Sequence, residues 1–178
     1  SDSTYIYGNT IFLNNDITTD IYLDGFTTFI YNNIFNTEGL AKIEETTNIS
    51  ERSINDLEVS NNLFYGNTSQ MLQNLDSRKT TAHPYFVGPG YEGASNYILS
   101  DGTYAAFRGA TFQEPVFAMA GKGIFKNMTT YPQYDFFNHS VNLTEDIPRI
   151  GAQAGGGDFE LSGAKKNRSN NFERKSCV

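Results

Sequence analysis

The sequence predicts an all-β fold in which short strands stack as the successive coils of a solenoid. Three observations carry that prediction. The phrase Asn32-Asn33-Ile34-Phe35 recurs as Asn61-Asn62-Leu63-Phe64, and a weaker copy, Asn9-Thr10-Ile11-Phe12, precedes both. The copies lie 23 and 29 residues apart, a spacing at which one repeat forms one supersecondary unit that buries its apolar face only by stacking on a neighbour. Asn, Thr, Ser and Gly are abundant between short apolar runs, with 14 Phe and 11 Tyr but no Trp, a composition that favours turns and strands over long helices.

Aligned on their first Asn, the copies bring Tyr7, Ile30 and Val59 to one offset and Ile11, Ile34 and Leu63 to another. Parallel neighbours stand about 4.8 Å apart, so side chains at equivalent positions pack as ladders. The same alignment expects an amide ladder at a bend from Asn9, Asn32 and Asn61. The polar stretch Glu44 to Asn55 reads as a loop extruded from one coil. Met71 to Leu75 reads as a helical turn. Two short apolar strands are expected within Ala82–Gly90 and Ser95–Gly102, where Pro and Gly mark the turns. Residues 1–103 are thus expected to hold the coils, 104–155 an irregular cap packed on them, and 156–178 a Gly-rich, then Lys/Arg-rich, mobile tail.

The formal net charge of −7 excludes a typical nucleic-acid binder, which needs a basic patch to neutralise phosphate, and disfavours polyanionic substrates. No stretch reaches the roughly 20 apolar residues of a membrane span. Six Asn-x-Ser/Thr sequons, at Asn48, Asn67, Asn127, Asn138, Asn142 and Asn167, point to a secreted, extracellular glycoprotein. In that setting the single cysteine, Cys177, suggests a disulfide to a partner chain. With no initiator Met and a strand-like Tyr5-Ile6-Tyr7 near the start, the expectation is a mature fragment or the C-terminal part of a longer polypeptide.

Further motifs give the series a familiar order: Asn61 to Asn67, His83-Pro84-Tyr85-Phe86-Val87-Gly88-Pro89, Tyr97 to Ala106, Asp135-Phe136-Phe137 and Ile150-Gly151-Ala152. Over residues 5–155 this resembles the closing segments of bacterial and fungal right-handed parallel β-helix proteins that act on polysaccharides. The resemblance implies β-helix coils followed by an irregular C-terminal capping segment. Here His83 stands where an acid is usual, Tyr104 replaces a Pro, and Arg108 falls near the usual Asp, which suggests a distant branch. A narrower resemblance lies in Asp20-Ile21-Tyr22-Leu23-Asp24-Gly25-Phe26, ahead of the Asn32 phrase. It is similar to the active-site coil of β-helical β-xylosidases, and it implies a catalytic acid at Asp24 with a partner carboxylate one coil earlier, at about Ser1 or Asp2.

Two carboxylates stacked one coil apart sit about 5 Å from each other, the separation a retaining glycosidase uses. Asp20, Tyr22 and Asp24 alternate onto one strand face, so Asp24 and Asp20 are the catalytic candidates and Tyr22 the residue that stacks on a sugar ring. Register opposes Asp2: Asp24 lies eight residues before Asn32 but Asp2 only seven before Asn9, and a shift of one residue turns a side chain to the opposite face. The leading expectation is therefore a hydrolase acting on a plant or microbial polysaccharide or oligosaccharide without a cofactor. One alternative is a lyase that binds Ca²⁺ through Asp16, Asp20 and Asp24 and takes its base from Arg78, Lys79 or His83. Another is a non-catalytic carbohydrate-binding or cell-surface protein. His83, before a proline, reads as a structural histidine, and His139, inside a sequon, as exposed. No Cys/His cluster suggests zinc, and Gly155-Gly156-Gly157 lacks the Lys-Ser/Thr of a phosphate loop.

Overall fold

A computed structural model describes residues 3–23, 27–45, 57–100, 134–140 and 149–152. Strands dominate, and every pairing between them is parallel. The first set is β1 (Ser3–Tyr7), β2 (Thr10–Leu13) and β3 (Thr18–Ile21). The second is β4 (Thr27–Tyr31), β5 (Ile34–Thr37) and β6 (Lys42–Glu45), and the third is β7 (Leu57–Ser60) and β8 (Leu63–Tyr65). Corresponding strands pair across the sets, giving sheets of order β1-β4-β7, β2-β5-β8 and β3-β6. The fold is all-β, as expected; the described residues add one short helix, α1 (Gln70–Leu75), and one 3₁₀ turn at Ala94–Tyr97. Helix α1 falls on the Met71–Leu75 helical turn and starts on Ser69, whose hydroxyl accepts the Leu72 N–H.

The register corrects the sequence alignment by one residue. Tyr7 pairs with Tyr31 and Tyr31 with Ser60, so the first spacing is 24 residues and Gly8, not Asn9, matches Asn32 and Asn61. Backbone conformation is the reason. Each corner between the first and second sheets needs one left-handed residue, supplied by Gly8 (φ 66°), Asn32 (φ 57°) and Asn61 (φ 57°); Gly and Asn enter that region at least cost. A second corner repeats the device at Asn15 (φ 65°) and Gly39 (φ 66°), also 24 residues apart.

The amide ladder accordingly runs through Asn9, Asn33 and Asn62 rather than Asn9, Asn32 and Asn61. The Asn9 N–H donates to Asn33 Oδ1 at 3.0 Å and the Asn33 N–H to Asn62 Oδ1 at 3.0 Å. Asn62 in turn donates its N–H to the Asp76 carboxylate at 2.8 Å. Asn33, Asn62 and Asp76 are fully buried, where satisfied polar groups specify one register and unsatisfied ones are costly.

One apolar cluster draws on all three sheets, with Ile30, Phe35, Ile43, Val59 and Phe64 packed together and Leu72 of α1 added from the third set. Phe35 and Phe64 are register partners with ring centroids 5.2 Å apart. A second cluster covers the opposite face of the β2-β5-β8 sheet, where Ile34 and Leu63 meet Phe86, Leu99 and Ile150. The two strands expected in 82–102 reduce to one antiparallel bridge, Phe86 to Leu99, around the 3₁₀ turn. Pro84, Pro89 and the left-handed Gly90 and Gly93 interrupt any longer ladder. Glu44 and Glu45, expected in a loop, close strand β6. The expected cap at 104–155 is described only at 134–140 and 149–152, and the tail at 156–178 lies outside the described residues.

Gly151 ties the C-terminal segment to the strands. Its N–H donates to Asn32 O at 2.6 Å, and the next N–H, of Ala152, donates to Thr10 Oγ1 at 3.0 Å. A Cβ at Gly151 would stand 2.6 Å from Ile34 Cδ1 and 2.7 Å from Thr10 Oγ1, on a backbone with φ 94°. Gly151→Ala is expected to lower the unfolding free energy by about 1–3 kcal/mol, measured by urea denaturation.

Candidate functional site

The β3–β6 sheet brings two carboxylates together. Asp20 is the register partner of Glu44, and Thr18 that of Lys42. Strand alternation turns Asp20, Lys42 and Glu44 outward, while Ile43 between the last two is buried. Parallel neighbours are about 4.8 Å apart, so the acids stand side by side on one face. The corner at Asn15 and Gly39 fixes this register, since the Leu40 N–H donates to Asn15 O at 2.7 Å and the Lys42 N–H to Ile17 O at 2.9 Å. Tyr22 follows Asp20 by two positions and is 67% exposed, which presents an open ring beside the pair.

Glu44 and Lys42 also form one wall of a groove of about 490 Å³, whose other wall is Asn67, Thr68 and Gln70. The groove crosses from the second strand set to the third, because the Ile43 N–H donates to Asn67 O at 2.9 Å. Its polar groups are amides, the hydroxyls of Thr68 and Ser69, the carboxylates of Glu44 and Glu45, and one ammonium. That ammonium, Lys42 Nζ, lies 3.9 Å from Glu44 Oε1, with both side chains more than half exposed, so the ion pair contributes at most about 1 kcal/mol. Such a surface offers hydrogen bonds to hydroxyl-rich ligands and repels anions.

Of the residues singled out from the sequence, Asp20 and Tyr22 lie on this face. Asp24 and Asp2 lie outside the described residues. Glu44 was missed because the 23-residue alignment sets Asp20 opposite Ile43; the 24-residue spacing of the left-handed corners is the signal that finds it. Of the aspartates of the Ca²⁺ alternative, Asp16 and Asp20 are exposed and Asp24 lies outside the described residues; among the described residues no three His, Cys, Asp or Glu side chains are grouped to hold a metal.

Two of the candidate bases, His83 and Lys79, hold local structure through their side chains. His83 Nδ1 accepts the Tyr85 N–H at 2.8 Å, its Nε2 lies 3.9 Å from Glu38 Oε1, and its ring packs on Tyr65 and Tyr85. Lys79 Nζ donates to Gln73 O at 2.8 Å, and the Arg78 N–H donates to Asp76. His139 is half-buried rather than exposed, with Nδ1 3.1 Å from Asp135 Oδ2. Asn67 and Asn138 are exposed, while Asn48, Asn127, Asn142, Asn167 and Cys177 lie outside the described residues.

A second polar–aromatic patch occupies one face of the β1-β4-β7 sheet. Tyr5 stacks on Phe29 with centroids 4.7 Å apart, and the Tyr31 hydroxyl donates to Glu58. Burial raises the Tyr5 hydroxyl pKa above the usual tyrosine range, with the Glu58 charge adding to the rise, and burial alone raises that of Tyr7. Phe29 and Tyr31 are themselves buried, so their rings are packing surface and offer no open face to a ligand.

Among the described residues no helix is long and apolar enough to cross a membrane. The chain matches no protein-family model, and no curated protein or solved structure gives a significant match.

Proposed function

We propose that the chain is a C-terminal portion of a secreted right-handed parallel β-helix protein that hydrolyses a neutral plant or microbial polysaccharide at the β3–β6 face. The observation that carries this reading is the register of Asp20 with Glu44. Adjacent parallel strands hold the two carboxyl groups near the roughly 5 Å separation of a retaining glycosidase. One acid attacks the anomeric carbon, and the other protonates the leaving oxygen and then activates water. Tyr22 supplies the ring on which a pyranose stacks, and Asn67, Thr68 and Gln70 supply hydroxyl partners along the groove. Three sheets of parallel strands around a shared core support the β-helix part of the reading.

Elimination is the weaker chemistry, since the acidic balance of the chain disfavours an acidified sugar, and of its candidate bases His83 Nδ1 and the Lys79 ammonium bond backbone groups. Binding without cleavage is the second reading. It is favoured by the open, ion-paired setting of Glu44, because general acids commonly work from drier pockets.

Reducing-sugar release from a panel of neutral polysaccharides tests the proposal. Under it, wild-type chain releases sugar, and Tyr22→Ala raises KM about 3–10-fold with kcat little changed, the signature of lost stacking. Saturable binding of those polysaccharides with no release would assign the face to binding alone.

A further inference from the structure

Tyr85 holds a backbone conformation that its side chain disfavours. Its φ is 52°, and the other four non-glycine residues with positive φ among the described residues are all asparagines. A bulky ring in the left-handed region is an outlier that persists only where neighbouring bonds impose it. Two bonds do so here. The Tyr85 N–H donates to His83 Nδ1 at 2.8 Å, and Tyr85 O accepts the Ser100 N–H at 2.8 Å. The strained residue is not tucked into the core, since Tyr85 is 57% exposed. Its ring lies against that of His83 with centroids 4.5 Å apart, and His83 stands edge-on to Tyr65 at 4.6 Å.

The polar groups beside that ring are open. Because Nδ1 accepts the Tyr85 N–H, the neutral His83 ring carries its proton on Nε2. Nε2 lies 3.9 Å from Glu38 Oε1, beyond hydrogen-bond reach, and among the described residues no hydrogen bond engages either group. A donor and an acceptor so placed admit one hydroxyl between them, which accepts from Nε2–H and donates to the carboxylate. Two residues before Glu38, and beside Tyr65 in register, Asn36 is 0% exposed. Among the described residues neither its Nδ2 nor its Oδ1 has a partner, an arrangement that is costly to hold. Two unfavourable features, one of backbone and one of side chain, thus meet at one patch.

We propose that Tyr85, His83 and Glu38 form a distal subsite that binds one pyranose unit of the neutral glycan, a reading that rests on the one given above for the β3–β6 face. The C–H face of the sugar stacks on the exposed Tyr85 ring, and one of its hydroxyls bridges His83 Nε2 and Glu38. The Glu38 carboxylate repels an acidic sugar and so selects a neutral one. The subsite is continuous with the Asp20–Glu44 pair. Glu38 opens the Gly39 corner from which β6 runs and lies six residues before Glu44, at most about 20 Å along the chain. A hexasaccharide is long enough to reach both.

The test uses the full chain, its Tyr85→Asn and Glu38→Ala variants, and hexasaccharides of xylan, glucan and mannan. Asparagine enters the left-handed region readily, so Tyr85→Asn removes the ring, keeps both backbone bonds and relieves the strain. Titration calorimetry should show hexasaccharide affinity lowered about tenfold by Tyr85→Asn and about threefold by Glu38→Ala. The urea midpoint of Tyr85→Asn should equal or exceed that of wild type. A ring kept for packing alone gives the opposite pair, lower stability with unchanged affinity, and that pair overturns the proposal. The subsite and the catalytic reading fail separately. If the chain releases no sugar but Tyr85→Asn still weakens hexasaccharide binding, the subsite stands without catalysis. If sugar is released and Tyr85→Asn leaves KM for the hexasaccharide unchanged, catalysis stands and the subsite falls. Absence of saturable binding of every hexasaccharide by wild type overturns both.

Discussion

Asp76→Ala lowers the free energy of unfolding by about 3–5 kcal/mol, the largest loss expected from a single side chain outside the apolar core. The carboxylate is 0% exposed and accepts four N–H groups. These are the backbone of Asn61 at 3.1 Å, Asn62 at 2.8 Å and Arg78 at 2.9 Å, and the Asn62 amide at 2.9 Å. Alanine leaves those donors facing a void, and each buried donor without an acceptor costs about 1–3 kcal/mol. Three of them belong to the corner that begins β8, and Asp76 also closes α1 through its own N–H to Leu72 O. The loss therefore reaches the ladder, the third strand set and the helix together. Asp76→Asn should fall between the two, since its Oδ1 still accepts while its Nδ2 meets other donors. Urea denaturation of the three proteins at neutral pH gives the order: wild type, then Asp76→Asn, then Asp76→Ala.

Glu44→Gln is expected to lower the rate of glycan cleavage about 10²–10⁴-fold, the usual contribution of a positioned acid or base. Stability should change little, because the side chain is exposed and its strand is held by backbone bonds. Asp20→Asn should act to a similar degree, as the two carboxylates share one transition state. Their effects should be far from additive, since removing either already disables the pair. Lys42→Ala separates the readings: it removes only a weak, solvent-screened partner of Glu44 and should leave the rate within a few-fold of wild type. Asp24→Asn completes the series. Full activity in that variant assigns the chemistry to Asp20 and Glu44, whereas a loss as deep as that of Glu44→Gln returns Asp24 to the centre. Initial rates of reducing-sugar release decide each comparison.

Much of the fold was legible in the sequence because its repeating element has a strict backbone demand. The corner needs a left-handed residue followed by an amide that reaches the next set, which Asn32-Asn33 and Asn61-Asn62 write directly. The first copy writes the same instruction as Gly8-Asn9, so matching by letter placed it one residue late. Matching by conformation, with Gly and Asn as equivalents, restores the 24-residue spacing that Asn15 and Gly39 repeat. That slip explains what was missed at the site. It turned Asp20 toward Ile43 instead of Glu44, and period-2 alternation makes such an error complete. Tyr22 was legible because its position on the strand face does not depend on the neighbouring set. Residues 82–100 were misread as strands because their apolar character serves a covering role. Phe86 and Leu99 pack across the β2-β5-β8 sheet without extending it.

The anomeric configuration of the first-formed product tests the central claim most directly. With Asp20 and Glu44 one strand apart, the paired carboxyls fall near the roughly 5 Å separation that lets one act as nucleophile. Proton NMR of a neutral oligosaccharide during cleavage by the wild-type chain should therefore show the product released with its anomeric configuration retained. An inverted product would contradict a paired-carboxylate nucleophile at this separation. Absence of any new anomeric signal alongside saturable sugar binding would contradict catalysis at this face.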